Sequence, residues 1–117
     1  MTKKASFIEV TDDVLREMTQ AIVDAVHPEK VILFGSHARG DVRADSDVDL
    51  AIIETEEFDE KRNRWEELRR IRRALDRFFV PKDILLFSRS EEQKNMRLRS
   101  HILTTARREG LILYERQ

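Results

Sequence analysis

This chain of 117 residues has no cysteine, which removes disulfide staples and thiolate metal sites at once and suits a reducing cytoplasm. Glycine and proline are scarce too, at three and two residues, and no linker, internal repeat or low-complexity run can be found. We therefore expect one domain over 1–117, large enough for one hydrophobic core. No apolar run approaches the length that spans a bilayer, and the opening MTKKASFIEV lacks the apolar centre of a signal peptide. The expectation is a cytoplasmic protein without membrane contact. An excess of one charge sign is missing as well, since 22 basic and 23 acidic residues nearly cancel. Such a surface gives no bulk attraction to nucleic acid, so direct nucleic-acid binding is not expected. Charge itself is plentiful: 38% of residues are ionic, against about 25% in an ordinary domain.

Thr11 is placed to cap a helix whose first turn holds Asp12 and Asp13, with Val14, Leu15, Met18, Ile22, Val23 and Val26 on one face. His27-Pro28 ends it, because a residue before proline avoids helical angles. Lys30 to Phe34 reads as a short buried strand, and Glu54 to Asp59 as an acidic connection. A long amphipathic helix follows, with Trp65, Leu68, Ile71, Leu75, Phe78 and Phe79 inward and Arg64, Arg69, Arg70, Arg73 and Arg77 outward. Glu60 stands four residues before Arg64, at helical pairing distance. Lys82 to Phe87 makes a third strand. Ser90, with Gln93 in the capping-box position, opens a helix that buries Leu98, Ile102 and Ala106 and stops at Gly110. Leu111 to Tyr114 is a last strand or an extended tail.

The chemistry concentrates in Val31 to Ile53, VILFGSHARGDVRADSDVDLAII. An apolar strand breaks at Gly35-Ser36 and enters a short helical stretch, where free backbone N–H groups can receive a phosphate. A second strand opens with Asp47 and Asp49. Two residues apart, they leave the same face with Cα atoms roughly 7 Å apart, a spacing from which carboxylates can converge on a pair of cations. Asp83, ahead of Ile84-Leu85-Leu86-Phe87, is a poor strand former, and a carboxylate on a buried strand is costly unless paired. Oxygen ligands of this kind favour magnesium over zinc. The three histidines, His27, His37 and His101, have no ligand spacing; His37 reads as a solvated residue near a turn, with contact to a phosphate as the alternative.

Gly35-Ser36, ten residues, then Asp47-x-Asp49 resembles the signature of the nucleotidyltransferase superfamily that includes DNA polymerase beta. At ordinary residue usage the four-residue match would arise by chance in such a chain about two times in a thousand. GSHARGDVRADSDVDLAI is similar in particular to the minimal nucleotidyltransferases, and ARREGLILYER resembles their ending. The resemblance covers nearly the whole chain. It implies an α/β fold like the palm of polymerase beta, a small mixed sheet packed with helices. It implies that Gly35 and Ser36 bind the triphosphate, and that Asp47, Asp49 and Asp83 hold two magnesium ions. Asp83 would also help deprotonate the attacking hydroxyl. Arg39 stands at the motif's basic position, where it neutralises phosphate, pairing with Asp41 being the alternative. Asp41 and Asp45 read as solvated extra acids. The implied donor is ATP.

The acceptor is what the resemblance leaves widest. Relatives that modify small molecules carry a helical second domain, which this length does not accommodate. Free-standing minimal nucleotidyltransferases resemble antitoxins that adenylylate a tyrosine of a HEPN-domain toxin, and that is the leading expectation. A small-molecule enzyme completed by a partner subunit or a homodimer, and a non-catalytic antitoxin acting by occlusion, are the alternatives. Three clustered acids argue against the last.

Overall fold

Thr11 does what its place before two acids predicts. In a computed structural model describing residues 8–40, 42, 46–95 and 110–117, its Oγ1 accepts the Val14 N–H at 3.2 Å and starts helix α1, Asp12–Val26. Met18, Ile22 and Val26 recur at four-residue spacing and are buried. The helix ends where His27 turns left-handed (φ 48°) and donates its N–H to the Val23 carbonyl.

Four strands follow the apolar runs: β1, Lys30–Phe34; β2, Val48–Glu54; β3, Lys82–Ser88; and β4, Leu111–Glu115. They form one mixed sheet in the order β3-β2-β1-β4, with β1 antiparallel to β2 and β4, and β2 parallel to β3. The ending is thus a paired strand, its register with β1 slipping between Val31 and Ile32. One face of the sheet packs Val31, Leu33, Leu50, Ile52, Ile84 and Leu86 under α1 and helix α3, Arg64–Ala74. The other face carries Ile32, Phe34, Ala51 and Ile53, with Leu85 and Phe87 against them. Strand alternation places Asp49 and Asp83 on this second face.

α3 departs from its sequence pattern at both ends. Asn63 caps it, accepting the Trp65 and Glu66 N–H groups at 2.8 and 3.3 Å, so Glu60 lies before the helix and cannot pair with Arg64 along it. Phe78 is buried but lies beyond the helix, and Phe79 is half exposed. The largest correction is Trp65, which is 69% exposed rather than inward. Arg64 turns in instead, donating to the Leu86 carbonyl at 2.7 Å and to Glu91 at 2.6 Å with its guanidinium over Phe58. A cation that finds a carbonyl and a carboxylate can be drawn toward a sheet more firmly than an indole without a polar partner.

The next helix, α4, Arg89–Asn95, is capped two residues earlier than Ser90 predicts. Ser88 Oγ accepts the Glu91 N–H at 3.2 Å, while Glu91 Oε1 accepts the Ser88 N–H at 2.9 Å, a reciprocal capping box. The expected core positions Leu98, Ile102 and Ala106, like His101, Asp41 and Asp45, lie outside the described residues. Glu54 closes β2 as a buried strand residue, not as the start of an acidic connection. Among the described residues no helix is long and apolar enough to cross a membrane.

Candidate active site

The corner between β1 and β2 is built on one glycine. Gly35 has φ 73°, a left-handed angle that side chains disfavour, and it leads into the four-residue helix α2, Ser36–Arg39. A Cβ at Gly35 would overlap Asp49 Oδ2 and stand 3.1 Å from its Cγ. Glycine is therefore needed twice, for the turn and for the carboxylate that rests against it. The pairing of Phe34 with Asp49 across β1 and β2 explains the contact, because it sets Asp49 beside the residue that follows the strand. Within α2, Gly35 accepts the Ala38 and Arg39 N–H groups, both at 3.1 Å. No described hydrogen bond takes up the N–H groups of Ser36 and His37, the pair the corner presents.

Asp83 lies directly opposite Asp49 in the parallel register of β2 and β3. Adjacent strands run about 4.8 Å apart, so the two side chains leave the same face as neighbours. Asp47 precedes β2 by one residue and is exposed. Asp49 is half-buried, and its pKa is raised, first by burial and then by the charges of Asp83 and Asp47. His37 and Arg39 oppose that shift, so all four groups lie within electrostatic reach of Asp49. Asp83 stands on a strand neighbouring that of Asp49, as the sequence leads one to expect, but its setting differs: β3 is an edge strand and Asp83 is exposed. Its claim to the site rests on register, not on a burial penalty.

Sequence reasoning gives His37 no part in bracing the corner. It is partly buried, and its Nε2 donates to the Ser46 carbonyl at 3.2 Å and ties α2 to the approach of β2. Its place directly after Ser36 is the one signal that could have found this brace. Arg39 is exposed and interacts within the fold.

The donor set is that of a hard cation, carboxylate oxygen without thiol or clustered histidine. Among the described residues no three His, Asp or Glu side chains stand close enough to hold a metal as they are. The pKa of Asp49 is raised first by burial and then by repulsion from Asp83 and Asp47, so in the absence of a cation this group favours its proton. A divalent cation would relieve that repulsion, and in this sense the residues fit one.

Residues 17–117 match the family described as Polymerase beta, Nucleotidyltransferase. The chain belongs to that family. The solved structures of similar shape agree with the fold. A protein of Sulfolobus solfataricus described as a candidate nucleotidyltransferase superposes with a TM-score of 0.59 at 17% identity, covering 89% of this chain and 79% of its own. A toxin–antitoxin with AMP-PNP gives 0.55 at 23% identity, covering 86% and 73%. A mutant of the toxin–antitoxin MntA-HpeT gives 0.51 at 19%, covering 92% and 76%. By sequence alone the chain matches no curated protein. At these identities the likeness establishes the polymerase beta-like nucleotidyltransferase fold, a four-stranded mixed sheet with helices, as the sequence resemblance implies.

Proposed function

We propose that this nucleotidyltransferase moves AMP from ATP onto a tyrosine hydroxyl of a HEPN-type toxin and acts as that toxin's antitoxin. The observation that carries the reading is the placement of Asp49 against the Gly35 corner with Asp83 in register beside it. A phosphate cradle and a carboxylate pair then face one another across a single strand crossing. The AMP-PNP in one toxin–antitoxin of similar shape supports a nucleotide ligand, and that protein and MntA-HpeT support a toxin partner.

Ser36, with its hydroxyl and N–H, would hold the outer phosphates, and Gly35 lets them approach the backbone. Asp47, Asp49 and Asp83 would hold two magnesium ions, which when bound neutralise phosphate charge and polarise the α-phosphate. Asp83, the most exposed of the strand-borne pair, would accept the proton of the incoming hydroxyl. The hydroxyl oxygen forms a bond to the α-phosphorus as the bond to the β-phosphate oxygen breaks, and pyrophosphate leaves. Arg39 would offset the charge of the leaving group. Positioning and charge stabilisation account for most of such a rate.

Two labelled nucleotides test this. With a co-produced HEPN-type partner, label should pass to the partner from α-phosphate-labelled ATP and not from γ-labelled ATP. Transfer of the γ label would make the chain a kinase, and transfer of neither, with the partner nonetheless neutralised, would leave an antitoxin that acts by occlusion.

A further inference from the structure

The helical layer on the sheet's first face carries two opposed stripes of charge. On α1 the positions opposite the buried Met18 and Ile22 are Asp13, Glu17, Gln20 and Asp24, all exposed. On α3 the positions opposite the buried Ile71 are Arg69 and Arg73, with Glu66 one turn before them and Arg72 and Trp65 along one flank. The helices lie side by side and run in opposite directions. Arg70 reaches the Ala25 carbonyl at 2.8 Å near the end of α1, and the Ile8 N–H meets the Phe79 carbonyl at 2.9 Å near its start.

Among the described residues the other arginines are systematically partnered. Arg16, Arg62, Arg64, Arg70 and Arg89 each hold a carboxylate, Arg77 lies over Phe78, and Arg116 donates to the His27 carbonyl. Among the described residues Arg69, Arg72 and Arg73 make no ion pair, and Arg69 and Arg72 line a small groove with Trp65 and Leu68. An exposed tryptophan amid guanidinium groups without ion pairs is the composition of an interface, where Trp and Arg are enriched.

We infer that the α1–α3 layer is a docking face for a second copy of this chain. A two-fold axis lying in the contact plane, parallel to the helices and between them, places α3 of each copy over α1 of the other. Arg69 and Arg73 of one then meet the Glu17–Asp24 stripe of its partner, and the contact is made twice, as a closed dimer requires. A polyanion fits less well. Laid along α3 it would run one helix spacing, about 9 Å, from the acidic stripe of α1, within a Debye length of those charges. The inference concerns the face of the sheet away from Asp49 and Asp83, so it stands or falls independently of the transfer reaction.

Trp65 is the chain's one tryptophan, so its fluorescence reports on this patch alone. At low salt the wild type should dimerise reversibly in sedimentation equilibrium. The Trp65 emission should shift to the blue as concentration rises, and both effects should weaken with salt. Arg69→Glu/Arg73→Glu should weaken association by about a hundredfold, since it sets acid against acid in both halves of the contact. Glu17→Arg/Asp24→Arg should do the same with base against base. Mixed together, the two variants should associate, because each offers the face the other lacks, and such rescue shows that both are folded. A wild type that stays monomeric at high concentration overturns the inference, as does a dimer untouched by either reversal, or variants that remain apart on mixing. Emission that responds to single-stranded RNA and not to protein concentration would hand the patch to a polyanion instead.

Discussion

The two ends of β2 pose the same electrostatic problem and answer it differently. At its start Asp49 is half-buried beside Asp83 and Asp47, and burial and those two charges raise its pKa. At its end Glu54 is 3% exposed beside Glu67, and its pKa is pushed up to about 8, first by burial and then by the hydrogen bond and charge of Glu67. The Glu54 end has its own cation. Arg62 bonds Glu54, reaches Glu67 at 3.1 Å and Glu56 at 3.5 Å, and lies over the Phe58 ring. Among the described residues the Asp49 end has the weaker opposition of His37 and Arg39. One cluster is closed by the chain and holds a loop to the sheet. The other leaves a charge imbalance that a ligand can correct. Repelling carboxylates mark a site only where the fold withholds the counter-charge.

The sharpest way to break this comparison is to remove one carboxylate from the open end. Asp49→Asn keeps the size of the side chain and relieves repulsion with Asp83 and Asp47. The metal-free protein should be as stable as the wild type or slightly more so in urea titrations with EDTA. Nucleotide transfer should fall by about a thousandfold, as when a group aimed at developing charge is lost. A variant that keeps its transfer rate, or one that unfolds early, would place Asp49 with Glu54 among structural carboxylates.

Removing the cation from the closed end should do the reverse. Arg62→Met keeps much of the stem that lies near Phe58 but leaves Glu54 and Glu67 without their shared partner. Breaking a buried ion pair from one side costs about 3 kcal/mol, because it strands an uncompensated charge. Here Glu54 can take up a proton, which limits the loss at neutral pH. The midpoint of urea unfolding should fall clearly, while the transfer rate of the folded fraction stays near that of the wild type. A loss of rate at unchanged stability would mean the two ends of β2 are coupled.

Much of the open end was legible in the sequence, and almost none of the closed end. Gly35-Ser36 and Asp47-x-Asp49 sit within one short stretch, so their spacing alone brings them together, and Asp83 follows once β3 pairs in register. Thr11 and the apolar spacing of α1 were equally plain because capping and periodicity are local. Glu54 read as the start of a polar loop because its partner, Arg62, is eight residues on in a segment without periodicity. Trp65 read as core for the opposite reason: its spacing suits the buried face, but Asn63 starts α3 with Arg64 turned inward. Ser88 lost its cap to Ser90 in the sequence reading because both are serines and the strand runs one residue longer than its apolar letters. Contacts between distant loops and competition between neighbours of like chemistry decide such cases, and neither leaves a pattern in the order of residues.

The smallest effect expected is on the pH dependence of stability, and it separates the two clusters without touching activity. Glu54 Oε2 finds no hydrogen-bond donor, and with Glu67 beside it the missing hydrogen is most simply a proton that Glu54 retains. A carboxyl whose folded pKa is about 8, against 4.5 for the ordinary group, binds its proton more tightly in the native state. Its contribution is therefore fully present below pH 4.5 and is lost as pH rises toward 8. A single such group gives a slope of at most about 1.4 kcal/mol per pH unit, and its coupling to Glu67 and Arg62 makes the real slope shallower. Glu54→Gln mimics the protonated form at every pH. It should cost little at pH 5, flatten the decline between pH 5 and 8, and leave the variant more stable than the wild type above that range. Asp49→Asn, by contrast, removes a half-buried carboxyl whose pKa the fold raises, and should alter the profile toward acid. Urea midpoints for wild type and both variants across pH decide the matter. Parallel curves for wild type and Glu54→Gln would mean that Arg62 keeps Glu54 charged, and the closed end would then be an ordinary ion pair.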